Sequence, residues 1–151
     1  MITRRTVLGL TLAAPALLLA ARTAIAKEPY VHSADGVAIE GYDPVAYFTE
    51  GKPVKGHEDH RVMWRGAVWQ FATSDAMARF EADPVAYAPQ YGCYCAYAVS
   101  RGYTASSDPQ AWTVHEGRLY LNYSKSVRAI WARDIPGNIA KADANWPNVL
   151  G

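Results

Sequence analysis

The sequence predicts an α+β fold in which two related β-hairpin-plus-helix units pack face to face in one small domain. Residues 61–87 and 112–138 share a pattern at an offset of 51 residues. In each stretch, two short strand-like runs flank a glycine, Gly66 or Gly117, which suits a tight hairpin turn because glycine adopts positive φ at little cost. A Ser/Thr-led helix follows each hairpin and brings a large aromatic residue, Phe80 or Trp131, to cover it.

The first 26 residues have the features of an export signal. Arg4 and Arg5 precede an uncharged run over residues 6–21, and Ala24-Ile25-Ala26 fits a small-x-small cleavage site. The apolar run is shorter than the ~20 residues that a membrane-spanning helix needs. Paired arginines resemble the twin-arginine type of signal, which exports folded proteins. We therefore expect cleavage between Ala26 and Lys27 and a periplasmic protein with no membrane span.

The composition of residues 27–151 excludes one class of partner. The chain has 15 Lys and Arg against 14 Asp and Glu, and the first 26 residues contain three arginines and no acidic residue, which leaves 12 basic against 14 acidic residues. This balance provides no basic footprint for nucleic acid. The remaining length fits a single domain, and two cysteines are too few for a disulfide scaffold.

The first elements are short. Residues 31–39 predict one strand, and residues 51–60 predict an exposed loop. Between them, Asp43 can accept hydrogen bonds from free backbone N–H groups, and Pro44 fits the first helical position. A short helix is therefore expected to begin there and to end near Gly51.

The later elements follow the repeat. Residues 63–71 and 114–122 predict the two hairpins, with helices beginning at residues 73–75 and 124–126. Trp69 corresponds to Tyr120, and Asp83 corresponds to Asp134. Residues 134–146 predict a final helix.

Several strings in this chain resemble those of one family. "GYDPVAYF", a tryptophan-bearing hairpin, "RFEADPVAYAPQYG", "CAYAVS" and "DIPGNIAKADANWP" together look like the exported bacterial YHS-domain proteins. The resemblance covers residues 41–147, and the YHS module itself matches residues 61–87. It implies the hairpin-plus-helix fold and, from modules that accompany copper-transporting ATPases, metal binding through cysteines.

The chain departs from that metal-binding pattern at two positions. Where the pattern has cysteine after the second strand and again in the helix, this sequence has Ala72 and Ala76. Alanine has no ligand atom. Any thiol chemistry must therefore come from Cys93 and Cys95. The exported branch usually has glycine at the position of Cys93 and cysteine at the position of Cys95.

Cys93 and Cys95 are the first candidate site residues. On a strand the two thiols would share a face and could grip one ion, whereas in a helix they would point about 200° apart. Residues 96–102 predict a helix, which would put Cys95 at a helix N-terminus where the dipole favours the thiolate. Three interpretations remain open: a Cu(I) or Zn(II) site, redox or disulfide chemistry at Cys95, and plain packing of two buried thiols.

Other side chains are weaker candidates. His57 and His60 could add ligands on a helical turn, although the charged residues around them favour a solvated loop. Four further residues are candidates for a core or a shallow cleft between the units: Tyr42, Tyr91, Tyr94 and Trp112.

The sequence favours a non-catalytic protein, because it has no G-x-S-x-G, no phosphate-binding glycine loop and no H-E-x-x-H. The leading hypothesis is an exported YHS-like domain that binds a metal ion, copper or zinc, or a small ligand. The alternatives are a thiol-redox protein and a structural or interaction module.

Overall fold

The computed structural model describes residues 27–151, and the predicted export signal with Arg4, Arg5, Ala24 and Ala26 lies outside the described residues. The strands are β1 (Ser33–Ala34), β2 (Val37–Ala38), β3 (His57–Trp64), β4 (Ala67–Phe71), β5 (Asp108–His115) and β6 (Arg118–Asn122). The α-helices are α1 (Ala46–Thr49), α2 (Ser74–Ala82), α3 (Pro84–Tyr87), α4 (Ala96–Ser100), α5 (Lys125–Trp131) and α6 (Ile135–Asn145). The predicted α+β class is confirmed.

The strands form two sheets. One has four strands in the order β1-β2-β4-β3, and the other consists of β5 and β6. Neighbouring strands are antiparallel except β2 and β4, which are parallel. The helices and connecting segments pack around these two sheets, and their ends place the side chains of the candidate site.

The two main hairpins have the same local geometry. The turn of β3–β4 contains Arg65 at φ 49° and Gly66 at φ 78°, and the turn of β5–β6 contains Glu116 at φ 48° and Gly117 at φ 75°. Two successive residues at positive φ are typical of the type I′ turn, whose twist matches that of the flanking strands. The register of each hairpin also shifts at corresponding places, between residues 57 and 61 and between residues 108 and 112.

The helices after the hairpins begin in the predicted way. Thr73 accepts a hydrogen bond from the Ala76 N–H at the start of α2, and Ser124 accepts one from the Val127 N–H at the start of α5, both at 3.1 Å. Asp83 and Asp134 cap α3 and α6 by the same means. These capping bonds satisfy backbone donors that a helix leaves free. The same order of helix, hairpin, helix and Asp-capped helix therefore occurs twice.

The hairpin β5–β6 lies between two apolar clusters. Leu119 and Leu121 belong to the cluster that contains Trp69 and Phe80 from the first unit. Tyr120 points the other way, because side chains alternate along a strand, and joins the cluster around Trp131. Strand β6 is therefore buried on both faces after Arg118.

Two predictions for residues 31–60 were wrong. Residues 31–39 form two strands, because Asp35 and Gly36 turn the chain at φ 51° and 81°. Within the predicted loop over residues 51–60, strand β3 already begins at His57, which pairs with Phe71. A bulge between residues 57 and 61 separates this pair from the rest of the hairpin. None of the helices within residues 27–151 combines the length and the hydropathy that a membrane crossing requires.

Candidate functional site

Three successive residues before the helix α4 have left-handed backbone. Tyr91, Gly92 and Cys93 lie at φ 59°, 58° and 67°. The Tyr94 N–H then donates to the Tyr91 carbonyl. Left-handed residues other than glycine usually occur singly and cost about 1–2 kcal/mol each, so this run is held by its surroundings.

The same turn occurs before the helix α1. Ile39, Glu40 and Gly41 lie at φ 52°, 51° and 83°, and the Tyr42 N–H donates to the Ile39 carbonyl. Cys93 thus occupies the position of Gly41. The structural repeat therefore extends upstream of the two stretches, residues 61–87 and 112–138, over which the sequence predicted it.

Gly92 allows the N-terminal segment to approach this turn. A Cβ atom at Gly92 would lie 1.8 Å from the Tyr30 carbonyl oxygen and 3.1 Å from Cη2 of Trp146. The Gly92 carbonyl accepts a hydrogen bond of 2.7 Å from the His32 N–H. The absence of a side chain at Gly92 thus permits the close approach of Tyr30.

Cys93 is buried in the first apolar cluster. Its residue is 1% exposed, and burial raises the pKa of its thiol well above the usual range. Its carbonyl accepts a hydrogen bond from the Ser107 hydroxyl. The surroundings of Cys93 therefore disfavour a thiolate.

Cys95 lies at the N-terminus of α4, as expected from the sequence, and its side chain caps the helix. Its Sγ accepts a hydrogen bond from the Ala98 N–H at 3.5 Å and donates to Oδ1 of Asn122 at 3.6 Å. Asn122 Oδ1 also accepts from the Tyr97 N–H at 3.0 Å. Both cysteines are free thiols. Cys95 also lines a cavity of about 270 Å³ together with Tyr103 and Tyr123.

Asp43 has the corresponding role in the first unit. Its carboxylate accepts hydrogen bonds from the N–H groups of Val45, Ala46 and Ala72 at 2.8, 3.3 and 2.9 Å. Burial raises the pKa of Asp43, although these N–H groups oppose the shift. Asp43 and Cys95 each tie the start of a helix to the end of the following hairpin, so the Cys95 thiol has a structural role.

The remaining predicted site residues are spread over the fold. His57 and His60 lie in β3 rather than on a helical turn, and Nδ1 of His57 accepts a hydrogen bond from the exposed Asp59 N–H. Within residues 27–151, no group of three or more His, Cys, Asp or Glu side chains is placed to hold a metal ion. Copper or zinc binding at Cys93 and Cys95 stays a prediction.

The four aromatic candidates also lie in different parts of the fold. The Tyr94 hydroxyl donates to the Pro29 carbonyl, and burial raises its pKa to about 12. Trp112 packs against Tyr47 in the first apolar cluster, and the Tyr42 hydroxyl accepts a 3.5 Å hydrogen bond from Gln110. Tyr91 alone among the four aromatic candidates lines the large cleft described next.

We call this cleft the arginine cleft. It has a volume of about 400 Å³ and lies where the turn of β3–β4, the start of β6, residues 88–92 and the end of α6 meet the N-terminal segment. Its walls include two arginines and several aromatic residues: Tyr30, Trp64, Arg65, Tyr91, Arg118 and Trp146. The volume falls within the range of sites for small organic ligands.

Aromatic rings hold the Arg65 guanidinium in place. Its central carbon lies 4.7 Å from the ring centroid of Tyr30 and 4.4 Å from that of Trp64. Such cation–π contacts each contribute about 0.5–1 kcal/mol at exposed sites. The guanidinium N–H donors lie in the plane of the group. Among residues 27–151 the arginine side-chain hydrogen bonds come from Arg79 and Arg128, so the donors of Arg65 are free to bind a ligand.

The acidic group of the cleft already has a partner. Asp143 accepts a 2.9 Å hydrogen bond from the Tyr91 hydroxyl. Burial and then this bond raise the pKa of Tyr91, while the nearby positive charge of Arg118 lowers it. Tyr91 therefore remains a neutral donor to Asp143 at ordinary pH.

Four residues of the cleft were not predicted from the sequence: Tyr30, Arg65, Arg118 and Trp146. One signal was available, because both arginines stand within one residue of a hairpin glycine. Hairpin turns are normally exposed, and only the packing of the two units brings these arginines to one cleft.

The two alanines that stand where the resemblance led us to expect cysteine line a smaller cleft. Ala72 and Ala76 line a space of about 210 Å³ together with Asp43.

Comparison of the chain with protein-family models, curated proteins and solved structures found no match.

Proposed function

We propose that this chain is a binding domain for a small organic ligand and that the arginine cleft is its site. The observation that carries the proposal is the cleft itself, an aromatic-walled concavity of about 400 Å³ with two arginine side chains on its surface. The cleft combines these aromatic rings with charged groups, and a concave site in which polar groups fix the orientation of a ligand against apolar surface is typical of small-molecule binding. The proposal keeps two parts of the hypothesis drawn from the sequence, an exported YHS-like domain and a small ligand. It places the ligand site in the arginine cleft instead of at Cys93 and Cys95.

The contacts within the cleft support a preformed site. Tyr30 packs edge-on against Trp146 at 5.2 Å between ring centroids, and Trp146 lies 6.1 Å from Tyr91. Trp64 packs edge-on against both Trp69 and Phe80, with 5.6 Å between ring centroids in each pair. A wall of mutually packed rings requires little ordering when a ligand binds, which lowers the entropic cost of association.

A variant that fills the cleft tests the proposal. Val85 lines the cleft and is 60% exposed, so Val85→Trp adds bulk there with little disturbance of the core. Met63, on β3, is 68% exposed and does not line the arginine cleft, which makes Met63→Trp the matched control.

Saturation-transfer NMR with benzyl alcohol, benzoate and benzamidine on the purified protein, expressed from the 151-residue sequence, provides the readout. We expect at least one probe to bind the unchanged protein and the Met63→Trp variant, and to bind the Val85→Trp variant much more weakly. No binding by any probe, or equal loss in both variants, contradicts the proposal.

A further inference from the structure

We infer that the ligand of the arginine cleft is a planar aromatic carboxylate, which Arg65 and Arg118 recognise together; the inference rests on the proposed function. Arg65 precedes the turn glycine of the first hairpin and Arg118 follows that of the second. Both are exposed residues that line the same cleft. Each unit of the repeat thus contributes one cation to one site.

The two cations are available for a ligand. In the described part of the chain, the salt bridges of arginine and lysine with an acidic group involve Arg79 and Asp75 only. The arginine side-chain hydrogen bonds of that part come from Arg79 and Arg128. Arg65 and Arg118 therefore face the cleft without an acidic partner within 4.0 Å among residues 27–151.

The charge within the cleft favours an anion. The cleft is lined by two arginines and by one carboxylate, Asp143, which already accepts a hydrogen bond from the Tyr91 hydroxyl. A guanidinium presents a planar fork of donors that matches a carboxylate, and charge-assisted bonds of this kind are about twice as strong as neutral ones.

The walls favour a planar ring attached to that carboxylate. Trp64, Trp146, Tyr30 and Tyr91 line the same space as the two guanidinium groups. Aromatic rings prefer offset or edge-on contacts with other rings at 4.5–7 Å between centroids. A flat, apolar ring body with an anionic end satisfies both parts of the site, whereas an inorganic anion would leave the aromatic walls unused.

Three probes of similar shape and different charge test the inference. Calorimetric titration compares benzoate, benzyl alcohol and benzamidine on the purified protein. We expect benzoate to bind at least about tenfold more tightly than benzyl alcohol, the effect of one charge-assisted bond, and benzamidine to bind most weakly. The benzoate affinity should fall as salt is added, because the site is solvent-accessible.

Four variants assign the effect to named side chains. Arg65→Gln and Arg118→Gln should each weaken benzoate about tenfold or more and leave benzyl alcohol nearly unchanged, whereas Arg133→Gln, outside the cleft, should change neither. Asp143→Asn should strengthen benzoate a few-fold, because it removes the opposing charge and keeps an acceptor for Tyr91. This gain cannot arise from a damaged fold.

The outcomes separate the inference from the proposed function. Binding of benzyl alcohol or benzamidine as tight as that of benzoate, or benzoate binding unaffected by both arginine variants, overturns the anionic ligand class and leaves the cleft as a ligand site. Failure of all three probes to bind overturns both. Selective benzoate binding that both arginine variants weaken and Asp143→Asn strengthens supports the inference.

Discussion

Gly92→Ala should destabilise the protein more than any other replacement of a turn glycine by alanine. The new Cβ atom would lie 1.8 Å from the Tyr30 carbonyl oxygen, and side chains essentially never approach closer than 3.0 Å. The N-terminal segment would have to move by about 1 Å, against its 2.7 Å hydrogen bond from His32 to Gly92. We expect a loss of about 1–2 kcal/mol for the left-handed backbone and of about 1–3 kcal/mol more for overpacking.

Gly117→Ala is the matched control for this prediction. Gly117 also has positive φ, at 75°, but a Cβ atom there would meet nothing within 4 Å. Only the conformational cost of about 1–2 kcal/mol applies to it. Urea denaturation followed by tryptophan fluorescence measures both free energies of unfolding. An equal loss in the two variants would refute the close approach of Tyr30 to Gly92, and with it one wall of the arginine cleft.

Three further predictions concern the buried groups. Cys93 and Cys95, each 1% exposed, should react with a thiol reagent far more slowly in the folded protein than in urea. If a Cys93→Ser/Cys95→Ser variant binds Cu(I) or Zn(II) as well as the unchanged protein does, the two cysteines are not a metal site. Burial lowers the pKa of His32, so the unfolded state binds more protons and stability should fall as the pH drops below about 6.5; a His32→Gln variant with the same pH dependence would contradict this. Asp43→Ala leaves three backbone donors without a partner and should lower the free energy of unfolding by about 3 kcal/mol or more. Thr73→Ala removes one capping bond and should lower it by about 1 kcal/mol. Equal shifts of the melting temperature in the two variants would contradict the role of Asp43.

The parts of the fold that depend on local sequence could be predicted. The glycines at positions 66 and 117 mark the hairpin turns, and Cys95 precedes the alanine-containing stretch at residues 96–100 that forms a helix. The Asp35-Gly36 turn had an equally good local signal, because Asp-Gly favours a type I′ hairpin. The prediction of one strand over residues 31–39 overlooked it.

The left-handed run at Tyr91 and Cys93 could not be predicted from local sequence. Residues with a Cβ atom disfavour positive φ, and nothing in their neighbours alone overrides that preference. The conformation depends on contacts distant in the chain, such as the Tyr91 hydroxyl with Asp143 and the Gly92 carbonyl with His32. Local propensity therefore gives no warning of it.

The arginine cleft was also beyond sequence-based prediction. Its walls come from five separate parts of the chain, and each part has an ordinary local role as a turn, a strand end or a helix end. Arg65 and Arg118 resemble solvated turn residues until the packing of the two units is known. The candidate residues drawn from motifs, Cys93 and Cys95, were instead buried or used for capping.

Tryptophan side-chain signals in a ¹H–¹⁵N NMR titration with benzoate test the central claim most directly. Trp64 and Trp146 line the arginine cleft, whereas Trp112 and Trp131 do not. We predict that the indole N–H signals of Trp64 and Trp146 move with one common dissociation constant and that those of Trp112 and Trp131 stay in place. Movement confined to Trp112 or Trp131, or no movement at all, would contradict the assignment of the ligand site to the arginine cleft.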